Sequence, residues 1–181
     1  VIKEKGKYRW LTNEQSIGSV SGFYGNFLVV VRAYTYLRTL GKENVHHVGY
    51  LSVLNANYIK ESLKEYYKLP ITGLCKHEVV FDGLISEKAT TLDVAKRLLD
   101  YGYHPPTIYF PLLFHQTIMI EPTEVESKET IDDFINTMIK IAQEAEANPD
   151  LLKTAPHNTI VRRLDDVKAA RNPIIKYKDI V

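Results

Sequence analysis

The chain has 181 residues, of which 45% are hydrophobic and 25% are charged, and its formal net charge is +1 at pH 7. This length suits one domain, or a small domain with an extension, and the near-neutral charge gives no electrostatic basis for binding nucleic acid or an acidic membrane surface. The single cysteine, Cys75, excludes an internal disulfide, and no apolar run approaches the ~20 residues that cross a bilayer, so we expect a soluble intracellular protein.

The first element of interest is the glycine-rich stretch "GSVSGFYGN" (18–26), which leads into the apolar run "FLVVVRAYTYL". It matches neither G-x-G-x-x-G nor G-x-x-x-x-G-K-[ST], and it lacks the lysine that meets a terminal phosphate. Two interpretations stay open. Gly22 and Gly25 permit close packing or an unusual φ at a helix start, or the amides there hold another anion.

Two helices follow. Apolar residues at helical spacing predict the first over 27–40, before Gly41, and the second over 43–66, ended by Pro70. The remaining elements are a strand over 74–82, a short helix capped by Thr91 and closed by Gly102, strands within 107–111 and 116–122, and a long helix capped by Ser127. A short basic helix is predicted within 162–171.

The order β-α-β-β-α over 71–147 predicts a small α+β sandwich with a mainly antiparallel sheet. Near Pro70 the pattern of apolar residues changes from helical spacing to one rich in strands. We therefore expect two parts, a helical segment (1–70) and a mixed C-terminal part (71–181).

Side chains that carry chemistry are scattered. His46 and His47 diverge on a helix, and the other histidines lack zinc-ligand spacing, so no metal site is expected. Cys75 and His77 share one face of the predicted strand, but a nucleophile would also need an orienting group. The acidic run with Glu121 and Glu124 fits the dipole of the following helix. The residues alone therefore indicate no self-sufficient catalytic constellation.

Five strings together closely resemble the C-terminal part of glycine dehydrogenase (decarboxylating), the P-protein of the glycine cleavage system. They keep the order and spacing of that family, and they are "FYGNFLVVVRAYTYLRTLG" (23–41), "LNANYIK" (54–60), "TTLDVAKRLLDYGYHPPTIYFP" (90–111), "MIEPTEVESKETIDDF" (119–134) and "APHNTIVRRLDDVKAARNP" (155–173). The resemblance points to the second subunit of the two-subunit form or the end of the fused form.

This resemblance implies an α/β fold, the C-terminal part of a fold-type-I pyridoxal-phosphate transferase. Residues 1–70 would then end the large domain and supply the connecting helices, and residues 71–181 would form the small α+β domain. The implied reaction releases CO2 from glycine and passes the aminomethyl group to the lipoyl arm of H-protein, with the cofactor as electron sink. The family's His-Lys-Thr string is absent. We therefore expect the chain to start after the Schiff-base lysine, to contain no catalytic residue and to be inactive alone.

The resemblance also suggests where the chain meets cofactor and substrate. Expected contacts to the cofactor phosphate are Ser19, Ser21, Tyr24 and Asn26; expected contacts to the substrate carboxylate are His157, Asn158, Arg162 and Arg163. Implied partners are glycine, lipoylated H-protein and another P-protein subunit or the missing N-terminal part, in an oligomer within the cytoplasm or, in a eukaryote, the mitochondrial matrix. Two alternatives are a non-catalytic interaction domain of this fold and another fold-type-I amino-acid decarboxylase.

Overall fold

A computed structural model of the protein describes residues 1–11, 13–18 and 25–176. The chain forms two compact units, residues 1–45 and residues 46–181. The boundary expected near Pro70 separates residues of a large domain from those of a small domain in a longer protein. The two units of this chain do not test that boundary, which stays a prediction. No helix in the described part of the chain is long and apolar enough to cross a membrane.

The described part of the first unit contains a short antiparallel hairpin and a helix. Strands β1 (Ile2–Glu4) and β2 (Lys7–Arg9) pair with Ile2 opposite Arg9. Helix α1 (Phe27–Leu40) begins at Asn26, whose side chain accepts a hydrogen bond from the backbone N–H of Val29. It ends at Gly41, whose φ is 73°. No residue of α1 is buried, although apolar side chains occur all around it.

Helix α2 (Val45–Leu63) ends earlier than the sequence predicted. Its last carbonyl, that of Leu63, accepts hydrogen bonds from Tyr66 and Tyr67, so the chain turns well before Pro70. The turn is stabilised because Tyr67 is fully buried and donates its hydroxyl to the Met138 carbonyl at 2.9 Å. Tertiary packing of Tyr67, and not proline, therefore ends this helix.

The second unit holds a three-stranded antiparallel sheet in the order β3-β5-β4. Its strands are β3 (Val79–Asp82), β4 (Thr107–Ile108) and β5 (Thr117–Ile120). Val79 lies opposite Ile120 in the β3–β5 register. The expected strand over 74–82 was too long: Cys75 and His77 precede β3, because Asn57 bonds the Cys75 backbone in both directions.

The predicted order β-α-β-β-α is confirmed. The helices are α3 (Thr91–Asp100), α4 (Lys128–Ala147), α5 (Pro149–Lys153) and α6 (Asp166–Arg171). Ser127 caps α4 as expected, through the Thr130 amide. Thr90, not Thr91, caps α3, because Thr91 is buried and donates its hydroxyl to the Gln116 carbonyl at 2.6 Å.

A hydrophobic core joins the sheet to helices α2, α3, α4 and α5. Phe81 and Ile118 from the sheet, Leu98 from α3 and Met138 from α4 are fully buried in it, and Leu63 from the end of α2 packs there too. Burying large apolar side chains of this kind is the main force that stabilises a domain of this size. The shared core fixes the positions of α3 and α4.

Candidate functional site

The C-terminal strap (residues 155–163) runs across the end of α3 and contains all four residues expected to bind substrate. Asp100, the last residue of α3, holds it. Its carboxylate accepts the backbone N–H groups of His157 and Asn158, the latter at 2.7 Å, and also a guanidinium N–H of Arg97 at 3.0 Å. The Asp100 side chain is only 1% exposed. Three donors on one buried carboxylate make the strap part of the folded domain.

Asp93 lies on the same face of α3 as Asp100, two turns earlier, and holds the far end of the strap. The Arg163 guanidinium contacts the Asp93 carboxylate at 2.5 Å, and it also donates to the carbonyls of Ala155 at 2.8 Å and Leu152 at 3.0 Å. Asp93 completes the capping box of α3 by accepting the Thr90 backbone N–H. Arg163 therefore acts as a clamp between the helix start and the strap.

The electrostatics of these carboxylates follow from their surroundings. Burial works against ionisation of Asp93, but hydrogen bonds from Thr90 and Arg163 outweigh it and lower the pKa of Asp93. Burial likewise opposes ionisation of Asp100, and the amides of Asn158 and His157 together with Arg97 lower its pKa all the same. Both groups are therefore charged at neutral pH and attract the donors of the strap.

A third carboxylate joins α3 to α4. Glu144 accepts two N–H groups of Arg97, at 2.8 and 3.0 Å, and the Tyr101 hydroxyl at 2.5 Å. Burial opposes its charge, yet Arg97 and Tyr101 lower the pKa of Glu144. Arg97 thus contacts both Glu144 on α4 and Asp100 at the end of α3. The carboxylate that holds the strap is therefore connected, through Arg97, to the contact between α3 and α4.

The four residues expected to meet the substrate carboxylate occupy different environments. The His157 ring nitrogen Nε2 lies 2.9 Å from the Leu151 carbonyl, and the Asn158 side chain donates to the Asp100 carbonyl at 3.3 Å. Arg163 is committed to the clamp. Arg162 is exposed and donates one N–H to the Pro156 carbonyl at 2.9 Å. The four are neighbours in the sequence, and the structure distinguishes them by leaving Arg162 the most accessible cation among them.

Of the residues expected at the cofactor phosphate, Ser19, Ser21 and Tyr24 lie outside the described residues. Asn26 caps α1, and Gly25 has a φ of 100°, which confirms that a glycine here permits an unusual backbone. The first turn of α1 contains no acidic residue, so its positive dipole end is compatible with an anion. This helix start fits one part of a cofactor site, the part that binds phosphate.

A Schiff-base lysine must present a free amine, and the buried lysine of the described chain does not. Lys60 is 3% exposed, and its ammonium group donates to the carbonyls of Thr72 and Gly73 at 3.3 and 2.9 Å. It also lies 3.2 Å from the Glu61 carboxylate. These three contacts commit the Lys60 side chain to holding the loop 72–73 against α2.

The described part of the second unit contains a cleft of about 460 Å³. Its walls come from the loop 103–107, the end of β5 and the first turns of α4, and they are mostly apolar. Tyr103 and Phe134 meet edge to face with ring centroids 5.4 Å apart. His104, Glu121, Glu126 and Thr130 add polar groups. An apolar cleft with a few polar groups is the usual form of a small-molecule site.

Beside this cleft lies a group of three side chains that sequence reasoning had separated. His77 was considered with Cys75, and Glu121 with Glu124 and the dipole of α4. In the structure the His77 Nε2 atom lies 3.6 Å from the Glu78 carboxylate and 3.7 Å from the Glu121 carboxylate. Glu121 follows β5 and precedes the Ser127 cap by six positions, so it is not in the first turn of α4. The cross-strand register is the signal that brings these side chains together.

Sequence reasoning also missed Asp93 and Asp100. The string "TTLD" (90–93) carries the pattern of a capping box, S/T-x-x-D, which marks Asp93 as a helix-start acid. Arg97, three positions before Asp100, is a local partner on the same helix, but the strap amides that Asp100 accepts lie 57 and 58 positions further along the chain, where no local pattern points to them.

These observations define a small α+β domain with an antiparallel sheet, closed by a C-terminal strap that buried carboxylates hold in place. The family described as glycine dehydrogenase, C-terminal domain, matches residues 48–163. The chain belongs to this family, which agrees with the resemblance noted in the sequence.

Three relatives extend the match. Each is a protein named probable glycine dehydrogenase (decarboxylating) subunit 2. The one from Caldanaerobacter subterraneus subsp. tengcongensis is 59% identical over 164 residues, which is 90% of this chain and 34% of the relative. Those from Shouchella clausii and Listeria monocytogenes serotype 4b are 51% and 53% identical, over 98% and 97% of this chain and 37% and 36% of the relatives. The chain therefore spans roughly a third of the length of these curated relatives.

Proposed function

We propose that this chain is the C-terminal part of a glycine dehydrogenase (decarboxylating) subunit 2, within a fold-type-I enzyme that uses pyridoxal phosphate. The observation that carries the proposal is the family match over residues 48–163, together with identities above 50% to proteins of that name. The assembled enzyme would release CO2 from glycine and pass the aminomethyl group to the lipoyl arm of H-protein.

When bound, pyridoxal phosphate supplies an electron sink for the carbanion left by loss of CO2. The described residues contribute the anion-compatible start of α1, and we propose that Ser19, Ser21, Tyr24 and Asn26 approach the phosphate there. The Schiff-base lysine is proposed to come from outside this sequence, since the family's His-Lys-Thr string does not occur in it.

The exposed apolar surface of helix α1 supports the expected division into a large and a small domain. A helix that is apolar all around is normally buried in a larger protein, and α1 exposes Phe27 at 73% and Leu28 at 72%. We therefore propose that residues 1–70 end a large domain whose remainder covers α1, and that residues 71–181 form the small domain.

The strap is the part of the small domain that we propose faces the substrate. This segment is rich in hydrogen-bond donors, those of His157, Asn158, Arg162 and Arg163. The carboxylates of Asp93 and Asp100 hold it in place on α3. Arg162 would contact the carboxylate of glycine, and Arg163 would position Arg162 by holding the strap in place. Because the carboxylate must leave as CO2, a single exposed cation suits the task better than a forked grip that stabilises the ground state.

The partners follow from the same proposal. Glycine and lipoylated H-protein are the substrates, and the name of the relatives implies a subunit 1. We propose an oligomer located in the cytoplasm.

The test uses the complete two-subunit enzyme that contains this sequence. We expect visible absorbance from bound pyridoxal phosphate and glycine-dependent exchange of CO2 that requires lipoylated H-protein. Absence of both would favour the interaction-domain alternative, and decarboxylation of another amino acid in preference to glycine would favour a different decarboxylase.

A matched pair of variants tests the role of the strap. Arg162→Ala should raise KM for glycine about tenfold, the effect of losing one hydrogen bond from a charged donor. Lys153→Ala, which removes an exposed cation in the preceding helix, should leave KM unchanged. Equal KM values for the two variants would contradict the assignment of Arg162.

A further inference from the structure

The three side chains next to the cleft, His77, Glu78 and Glu121, are brought together by the sheet. Val79 lies opposite Ile120 in the β3–β5 pair, and continuing this antiparallel register by one position sets Glu78 opposite Glu121. Like charges directly opposite each other destabilise a sheet unless a cation lies between them. The imidazole of His77 reaches the same point from the residue before Glu78.

The charges of this group are not balanced by a neighbouring lysine or arginine. Among residues 1–11, 13–18 and 25–176, the ion pairs of Glu78 and Glu121 are those with His77. No hydrogen bond within that part of the chain ties any of the three side chains to another partner. Two carboxylates and one imidazole therefore converge with their lone pairs uncommitted.

The spacing of the three suits a metal ion. One ligand atom from each residue lies within 4.8 Å of the other two, and the two His77 distances are 3.6 and 3.7 Å. Ligands of tetrahedral Zn²⁺ with bonds near 2.0–2.2 Å stand about 3.3–3.5 Å apart, so small rotations of exposed side chains suffice. An imidazole favours zinc-type ions over Mg²⁺ or Ca²⁺, which prefer oxygen ligands alone.

We propose that His77, Glu78 and Glu121 bind one divalent transition-metal ion of the zinc type. Three protein ligands leave a coordination position open toward solvent and the neighbouring cleft, which Glu121 also lines. The proposal departs from the expectation of no metal site, which rested on sequence spacing alone and stays a prediction. It stands independently of the proposed enzymatic function.

The experiment titrates the purified protein, free of any histidine tag and chelator, with Zn²⁺ followed by calorimetry and with Co²⁺ followed by visible absorbance. We expect one ion per chain, with Mg²⁺ binding at least tenfold more weakly than Zn²⁺. His77→Gln and Glu121→Gln should each weaken Zn²⁺ binding at least tenfold. The exposed control variants His115→Gln and Glu65→Gln should bind as the unmodified protein does.

Circular dichroism in EDTA verifies that all four variants are folded before titration. Equal Zn²⁺ affinity in His77→Gln and the unmodified protein would overturn the proposal, as would the absence of stoichiometric binding. In that case the group is only a histidine lying between two carboxylates. Because the probe is the metal alone, the result does not depend on glycine decarboxylation.

Discussion

Two adjacent arginines in the strap have the same chemistry and different environments. Arg163 contacts the Asp93 carboxylate and two carbonyls, whereas Arg162 donates one N–H to one carbonyl and is otherwise exposed. The sequence places both in a basic tail and offers no way to rank them. The difference arises because Asp93 is 70 positions away along the chain.

Arg163→Ala should therefore lower the free energy of unfolding by about 1–3 kcal/mol, since it leaves the nearly buried Asp93 carboxylate without a charged donor. Arg162→Ala should change it by less than about 0.5 kcal/mol, as is usual for exposed residues. Urea denaturation of the two variants measures both values. Equal losses would show that Arg163 is not a clamp.

At the scale of elements, α3 shows how a cap is chosen by tertiary contacts. Thr90 and Thr91 are both able to cap a helix by sequence rules. Gln116, from the loop before β5, bonds the amide of Thr91 at 2.8 Å and accepts its hydroxyl, so Thr91 joins the sheet side of the core. Thr90 is left to cap the helix together with Asp93.

Thr90→Ala should cost about 1 kcal/mol of stability, because the Asp93 amide loses its capping oxygen. Thr90→Ser keeps the hydroxyl and should restore most of that loss. Thermal or urea unfolding of Thr90→Ala and Thr90→Ser measures the two stability losses. If Thr90→Ser were as unstable as Thr90→Ala, the loss would come from the methyl group and not from the cap.

At the scale of the whole molecule, three carboxylates link the second unit together: Asp93, Asp100 and Glu144. In each, burial opposes the charge, but hydrogen bonds and arginine partners leave the pKa below its ordinary value. A lowered folded-state pKa means that the unfolded chain binds protons first as the pH falls. These groups therefore stabilise the fold at neutral pH and stop doing so in acid.

The free energy of unfolding should accordingly be nearly constant near neutrality and fall as the pH drops below about 4, where unfolded carboxyl groups take up protons. Urea denaturation between neutral pH and about pH 3 measures this slope. Asp100→Asn should be less stable at neutral pH and should show a shallower loss in acid. An unchanged slope in this variant would exclude Asp100 as a contributor.

The sequence by itself determined the order of the elements and the family. Amphipathic spacing and local caps such as Ser127 are short-range, so β-α-β-β-α could be predicted and was confirmed. Five strings in the order of one family identified the chain as a glycine dehydrogenase C-terminal domain, which the family match confirms.

Only the tertiary structure decided where elements stop and which side chains meet. Helix α2 ends because Tyr67 must reach Met138, and the strap lies on α3 because Asp100 accepts amides 57 and 58 positions away. His77 meets Glu121 through the β3–β5 register. These contacts join residues distant in sequence, and their energy depends on burial and direction, which no local pattern encodes.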